Sequence, residues 1–503
     1  MNVLRRLFIA WDGTNYVEET ARLLVASGAN RLTPPGEPGL SSRGQVDQCD
    51  LTLDNSTGRY SAMNENSPLN DGTETTDALI NGNAYHRPMY LEVSIDNGAN
   101  YYRIFTGVIK LPQENAPTSK QAATVKIDCR SLDERLLQRR MSTLLSAMTA
   151  WHDAGYREGQ MIEALLLNAN VIDYETDEGM FLVPFAWLDD ESVLDEIWQI
   201  AGATGGRVYC DPSGTMRYED ATHWLKSPHD TSQEIFTRDK YKTLTPIYSD
   251  GDLYNVVTAE TSPREIDLTD VLWEPDELVS VPPDSTKSMT ARLRQAAYAI
   301  DQITVKASTI SGTDISADVT IDQTNYVQRV ELVITNANTT HTAYLRPLQI
   351  TGQALKGGPT QEEKRTSADD GNNTAWWAAR STTRTRTIRG NPYIQTRAQA
   401  GAVALMLLHR AEAPRLTFKI GGVMGDPERR CGDRITIDDT AIMSASHDAF
   451  ITGISWRYDS AGFTQDLEAV DAASLYPYAD TDGYFVLGTN KVGTGTLSAY
   501  LFY

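Results

Sequence analysis

The chain has 503 residues, 41% of them hydrophobic and 22% charged, with a formal net charge of −22. That length is more than one hydrophobic core serves and predicts three or four domains of ordinary soluble composition. The acidity argues against nucleic acid or an anionic membrane as a bound partner, since phosphate recognition needs clustered Lys and Arg, and a simple solubility role for the charge explains most of it equally well.

Residues 1–130 read as mostly β. A first strand covers Asn2 to Trp11, a second region covers Tyr16 to Ala26, and a strand from Gln48 to Leu53 ends in the turn Asp54-Asn55-Ser56-Thr57-Gly58. Asx-rich turns closed by Gly reverse a chain at low cost. Segments 31–45 and 61–84 are rich in Pro, Gly, Asn and Ser and read as loops.

The texture changes at Ser131. The run Ser131-Leu132-Asp133-Glu134 has the form of a capping box, with Leu132, Leu136, Leu137 and Leu144 on one helical face. A second helix is predicted from Gly159 to Asn170. A third starts at the acidic cluster Asp189-Asp190-Glu191, which suits a helix N-terminus, and stops at Gly205-Gly206. Arg207–Cys210, the turn Asp211-Pro212-Ser213-Gly214 and Thr215–Tyr218 then form a hairpin, giving a small α+β module.

The chain returns to β at about residue 236. The Thr-, Val- and Ile-rich stretch 300–353 alternates like a sandwich, as in Arg329-Val330-Glu331-Leu332-Val333-Ile334. Thr396 caps a helix that carries Ala400, Val403, Leu407 and Ala411 inward and stops at Pro414. The four cysteines, Cys49, Cys129, Cys210 and Cys431, are dispersed without a C-x-x-C pair, so buried free thiols are favoured over a disulfide or zinc. Leu7–Trp11 is too short for the apolar core of a signal peptide, and no later run reaches membrane-spanning length.

One pattern is written twice. Its first copy is Arg87–Val93, then Ile104-Phe105-Thr106-Gly107-Val108-Ile109, then Ala123–Cys129. The second is Cys431–Ile437, then Phe450-Ile451-Thr452-Gly453-Ile454, then Phe463–Ala469. Matched spacing of alternating strands predicts two related small β-domains, far apart in the chain, with insertions between them.

Searches for catalytic motifs give little. The seven histidines lack metal-ligand spacing; His223 and His229 sit six apart in a loop around Trp224. Asp189-Asp190 reads as helix capping and Asp438-Asp439 as a turn. Trp376-Trp377 reads as a core or interface anchor rather than a sugar cleft. Asp250-Gly251-Asp252 and the turn 54–58 lack the full ligand ladder for calcium. The Gly- and Thr-punctuated tail ends in Tyr500-Leu501-Phe502-Tyr503, which either docks on its own last domain or anchors on a neighbour. These four are the candidate interface residues; no catalytic, cofactor-binding or metal residue is assigned.

Leu51–Ser61 with its Gly58-Arg59-Tyr60-Ser61, followed by Ser67-Pro68-Leu69, Arg87–Leu91 and Phe105-Thr106-Gly107, resembles the start of the baseplate hub, or tail-tip hub, proteins of tailed bacteriophages. Ile197–Tyr218, Asp252–Val257, Pro414–Thr417, Gly432–Ile435 and Phe450–Ile454 are similar to later parts of the same family. The resemblance implies a homotrimer whose two barrels per subunit form a pseudo-sixfold collar. That collar joins a hexameric tail tube to a three-fold tip, and DNA passes through it as cargo. It implies contacts with the distal tail or tube protein and with tip or fibre proteins, a place in the virion at the distal end of the tail, and synthesis in the host cytoplasm. It implies neither a cofactor nor membrane insertion by this chain.

The expected fold is therefore mainly β and multidomain, a β+α chain. It has a first hub barrel at 1–130, an α+β domain at 131–235, and a second barrel from 236–285 plus 395–475. A β-rich, sandwich-like insert occupies 286–394, and an extension at 476–503 contacts neighbours. The expected function is structural and non-enzymatic. The alternatives are a carbohydrate-binding or polysaccharide-degrading tail protein and a secreted multi-domain bacterial β-protein with an unrecognised enzymatic site.

Overall fold

Alternation dictates the first strands. In β1 (Leu4–Ile9) Leu7 and Ile9 turn inward, and β2 (Val17–Glu18) and β3 (Leu23–Arg31) follow. In β4 (Gln48–Asp54) Cys49, Leu51 and Leu53 are buried between outward polar residues. Then come β5 (Arg87–Ser94), β6 (Tyr102–Ile109), β7 (Gln113–Asn115) and β8 (Thr124–Ser131). This architecture comes from a computed structural model that describes residues 3–32, 46–61, 64, 67–69, 86–110, 112–118, 122–248, 253–367, 383–441, 443 and 445–475. The Trp376-Trp377 pair, the Asp250-Gly251-Asp252 turn and the tail residues Tyr500, Leu501, Phe502 and Tyr503 lie outside the described residues.

Helices begin after Ser131, but without the expected capping box. Ser131 is the last residue of β8, paired with Gly107, so its hydroxyl serves the strand end. It donates to the Asp133 carboxylate at 2.5 Å and accepts the Asp47 amide at 2.9 Å, while the N-cap Asp133 makes no side-chain cap. The elements that follow are α1 (Glu134–Gln138), β9 (Arg140–Ser142), α2 (Leu145–Ala154), α3 (Glu158–Asn168) and β10 (Tyr174–Thr176). The acidic cluster expected to open a helix is instead a short strand, β11 (Asp189–Ser192), paired with β9. The helix starts one residue later as α4 (Val193–Thr204), where the Ser192 hydroxyl accepts the Asp195 amide, and it stops at Gly205. The hairpin β12 (Arg207–Cys210) and β13 (Met216–Glu219) packs on α4, with β10 parallel to β13.

Two short strands, β14 (Glu234–Thr237) and β15 (Thr243–Tyr248), return to the large sheet, and β16 (Val256–Glu260) lies elsewhere, between strands from much later in the chain. The β-rich stretch holds β17 (Arg264–Trp273), β18 (Val279–Val281), β19 (Ser285–Arg292), β20 (Ala297–Ser308), β21 (Val319–Asn325), β22 (Arg329–Asn336) and β23 (Ala343–Gly357). Its two sheets, one centred on β23 and one on β22, share a core that includes Val281, Val330, Leu332, Leu345 and Ile350. β24 (Glu362–Thr366) and β25 (Thr385–Ile388) flank β16, and α5 (Arg397–Ala411) packs in one core with α4. Thr396 caps α5 as its position predicts, accepting the Gln399 amide.

The chain closes with β26 (Leu416–Met424), β27 (Arg434–Asp438), β28 (His447–Asp459) and β29 (Gly462–Asp471). Both copies of the repeated pattern form antiparallel meanders, β5-β6-β8 and β27-β28-β29, and the Thr-Gly strand is the middle one each time. The two sets belong to one 14-stranded sheet over one core, including Leu51, Ile127, Phe418, Ile451 and Trp456. The seam is β3 on β28, from Gly453 opposite Arg31 to Tyr458 opposite Ala26. Among the described residues no closed barrel is seen: the ladder runs from β2 to β15. β28 occupies one side of β3 from Ala26 to Arg31, and the Arg5 guanidinium of β1 donates to the Leu23 carbonyl at the other end of β3.

Candidate functional site

The two Thr-Gly pairs do different work. The Thr106 hydroxyl donates to the Pro212 carbonyl at 2.7 Å, and Arg103 donates to the Ser213 carbonyl at 3.3 Å, so β6 holds the turn of the α+β hairpin. That turn is set by Asp211, whose carboxylate accepts the Ser213 and Thr215 amides and the Arg217 guanidinium, the last at 2.7 Å. Thr452 instead serves the seam. Its carbonyl accepts the Leu32 amide at 2.8 Å, and its hydroxyl donates to the Glu468 carbonyl.

The hairpin carries a buried ion pair to the junction. Arg207 and Glu219 are direct cross-strand partners, and Nε donates to Oε2 at 2.7 Å with both side chains under a tenth exposed. Glu219 also accepts the Tyr209 hydroxyl at 2.6 Å and the Trp224 indole at 3.1 Å. Burial alone would raise this carboxyl, but Arg207, His223 and the Tyr209 hydroxyl outweigh it and hold the group below its usual range.

The loop that sequence spacing singled out, His223 to His229, lies here. His223 Nδ1 is 2.8 Å from Asp177, its Nε2 is 3.7 Å from Glu219, and the two carboxylates raise the imidazole against burial. Trp224 is fully buried between the Arg207 guanidinium, 4.0 Å from its ring centroid, and Phe450. It also lies against Gly432, which has φ +98° and where a Cβ would fall 2.6 Å from the indole nitrogen. A side chain at Gly432 would therefore collide with the buried Trp224 ring. Among the described residues no group of three or more His, Cys, Asp or Glu is placed to hold a metal ion.

Between these parts lies a cavity of about 320 Å³, walled by the end of β3, the β12–β13 hairpin with its following loop, and the segment around Arg430 and Trp456. The thiols of Cys210 and Cys431 border it, and burial pushes both well above the usual range, so neither is a thiolate at neutral pH. All four cysteines are free. Sequence reasoning reached the histidine loop but missed Arg207, Glu219, Arg430 and Trp456. Counting outward from the Asp211–Gly214 turn sets Arg207 opposite Glu219, which was the available signal.

No family model and no curated protein matches the chain. Solved structures similar in fold include a tail protein from Neisseria meningitidis, with a TM-score of 0.47, 8% identity and 94% of this chain covered against 98% of that one. The 43 kDa tail protein of prophage MuSo2 from Shewanella oneidensis has a TM-score of 0.47 and 10% identity, covering 94% and 100%. The E. coli c3393 protein, described as a component of the type VI secretion system with structural similarity to T4 bacteriophage tail proteins gp27 and gp5, has a TM-score of 0.36 and 9% identity, covering 91% and 76%.

Proposed function

We propose that this chain is a structural, non-enzymatic hub at the distal end of a phage tail. The observation that carries the reading is the repeated meander: one subunit supplies two similar strand sets, each centred on a Thr-Gly strand, in a single continuous sheet. Three such subunits offer six sets, the number needed to meet a hexameric tube on one side and a three-fold tip on the other. The net charge of −22 supports a lumen along which DNA passes without adhering. On this reading the partners are two further copies of the chain, the distal tail or tube protein, and tip or fibre proteins.

Cryo-electron microscopy along the long axis of the particle tests this. A three-fold ring with six sheet-derived lobes around a channel is the expected result. Density for this chain away from the tail axis overturns the proposal, as does release of reducing sugar from host polysaccharide by the purified protein.

A further inference from the structure

Two groups that border the junction cavity, Trp456 and His229, hold a buried polar atom without a partner, and a third, Arg430, has no carboxylate partner. Trp456 is 4% exposed, and its indole N–H has no acceptor. A buried donor left unpaired keeps the full cost of its desolvation, so natural structures seldom hold one without a reason. The half-buried Arg430 guanidinium donates only to main-chain carbonyls, those of Pro427 at 2.6 Å, Arg429 at 3.1 Å and Arg103 at 3.4 Å. Among the described residues no carboxylate stands within ion-pair distance of it. His229 Nδ1 is buried without a partner; burial lowers the pKa of the ring, while its hydrogen bond to the Gly432 backbone works the other way.

The neighbouring charges do not fill the gap. Arg217 is taken by Asp211, Arg429 by Glu234, and Glu219 by Arg207. Asp433 accepts the main-chain amide of Arg430, and with Asp211 and Asp426 it acts on the guanidinium through space without bonding to it. Asp47 is bonded to Asn30, and burial with nearby Asp133 pushes its carboxyl well above the usual range. The cavity therefore presents a cation bonded to main-chain oxygens alone and an indole donor without an acceptor, beside a ring nitrogen able to accept.

We propose that this cavity binds a small hydroxylated carboxylate, its carboxylate on Arg430 and Trp456 and its hydroxyl on His229. At about 320 Å³ the space lies at the lower end of the range for ligand pockets, enough for a metabolite-sized acid and too little for an oligosaccharide. A ligand there touches the end of β3, the hairpin loop and the second meander at once, and so ties the helical module to both halves of the sheet. The site is complete within one subunit and does not depend on ring formation.

The test is isothermal titration of the full chain with malate, alongside succinate, glycerol and inorganic phosphate. Malate is expected to bind, succinate to bind several-fold more weakly, and glycerol not to bind. Trp456→Phe and Arg430→Gln are each expected to weaken malate at least tenfold. Where either variant melts early, the indole N–H signals of the unsubstituted protein provide a second readout, and malate is expected to move one of them. Equal binding of phosphate and malate, undiminished binding by both variants, or a cavity that holds water alone and moves no indole signal overturns the proposal.

Discussion

The main chain of Arg130 in β8 passes so close to Gly107 in β6 that a methyl group at Gly107 would lie inside contact distance of the Arg130 carbonyl oxygen. Its counterpart in the second copy, Gly453, has no such constraint, since the nearest atom to a methyl group there is Cβ of Glu468 at 3.4 Å. Gly107→Ala is therefore expected to cost about 1–3 kcal/mol through forced strand separation, and Gly453→Ala less than about 0.5. Chemical denaturation of the two variants checks this; equal losses refute the asymmetry.

Glu19 is 3% exposed and accepts from the Trp11 indole at 2.9 Å, Arg59 at 2.6 Å and the Tyr60 hydroxyl at 2.7 Å. Tyr60→Phe removes one of three donors and is expected to cost roughly 1 kcal/mol. Glu19→Ala strands all three, including a cation, and is expected to cost about 3 kcal/mol or more. A melting comparison in which the two variants lose the same amount would show that the carboxylate does not organise this corner.

Breaking the Arg207–Glu219 pair from one side leaves a buried carboxylate without its cation. Arg207→Met is expected to cost about 3–5 kcal/mol, and adding Glu219→Gln is expected to recover most of it, since the amide still serves Tyr209 and Trp224. A double variant no more stable than Arg207→Met alone refutes the charge argument and leaves packing against Trp224 as the cause.

Glu196 on α4 is buried, and desolvation first, then Glu191 and Asp195, pushes its carboxyl to about 8. The folded chain thus holds a proton that the unfolded chain releases near the ordinary glutamate value. Between those limits stability falls as pH rises. Glu196→Gln removes this dependence. It is expected to raise the free energy of unfolding at pH 8 by roughly 4 kcal/mol, at about 1.4 per pH unit, and hardly at all at pH 4.5. The same gain at both pH values would assign it to packing.

Strand positions were legible because alternation survives in single sequence: Cys49, Leu51 and Leu53, or Val125, Ile127 and Cys129, mark their buried faces unaided. The duplicated order was legible too, since three strands at matched spacing can form the same meander twice. What sequence hid was the seam. Nothing local tells residues 26–31 that their partner strand is residues 453–458, so the joining of the two strand sets in one sheet was not foreseen. Asp189 to Glu191 misled for another reason: acidic residues serve a helix start or a strand edge, and pairing with β9 decided in favour of the strand. The junction groups were invisible because Arg430, Trp456 and His229 come to border one cavity only through tertiary packing.

The β3–β28 seam also has a consequence for synthesis. The Tyr458 hydroxyl reaches the Val3 carbonyl across 455 positions, so the first strands leave the ribosome long before their neighbours are made. At about 5–20 residues per second that interval is roughly 20–90 s. Throughout it the free side of β3 is an open edge able to recruit another nascent chain. Growth temperature and translation speed should therefore govern the yield of soluble protein more strongly than the stability of the finished sheet does.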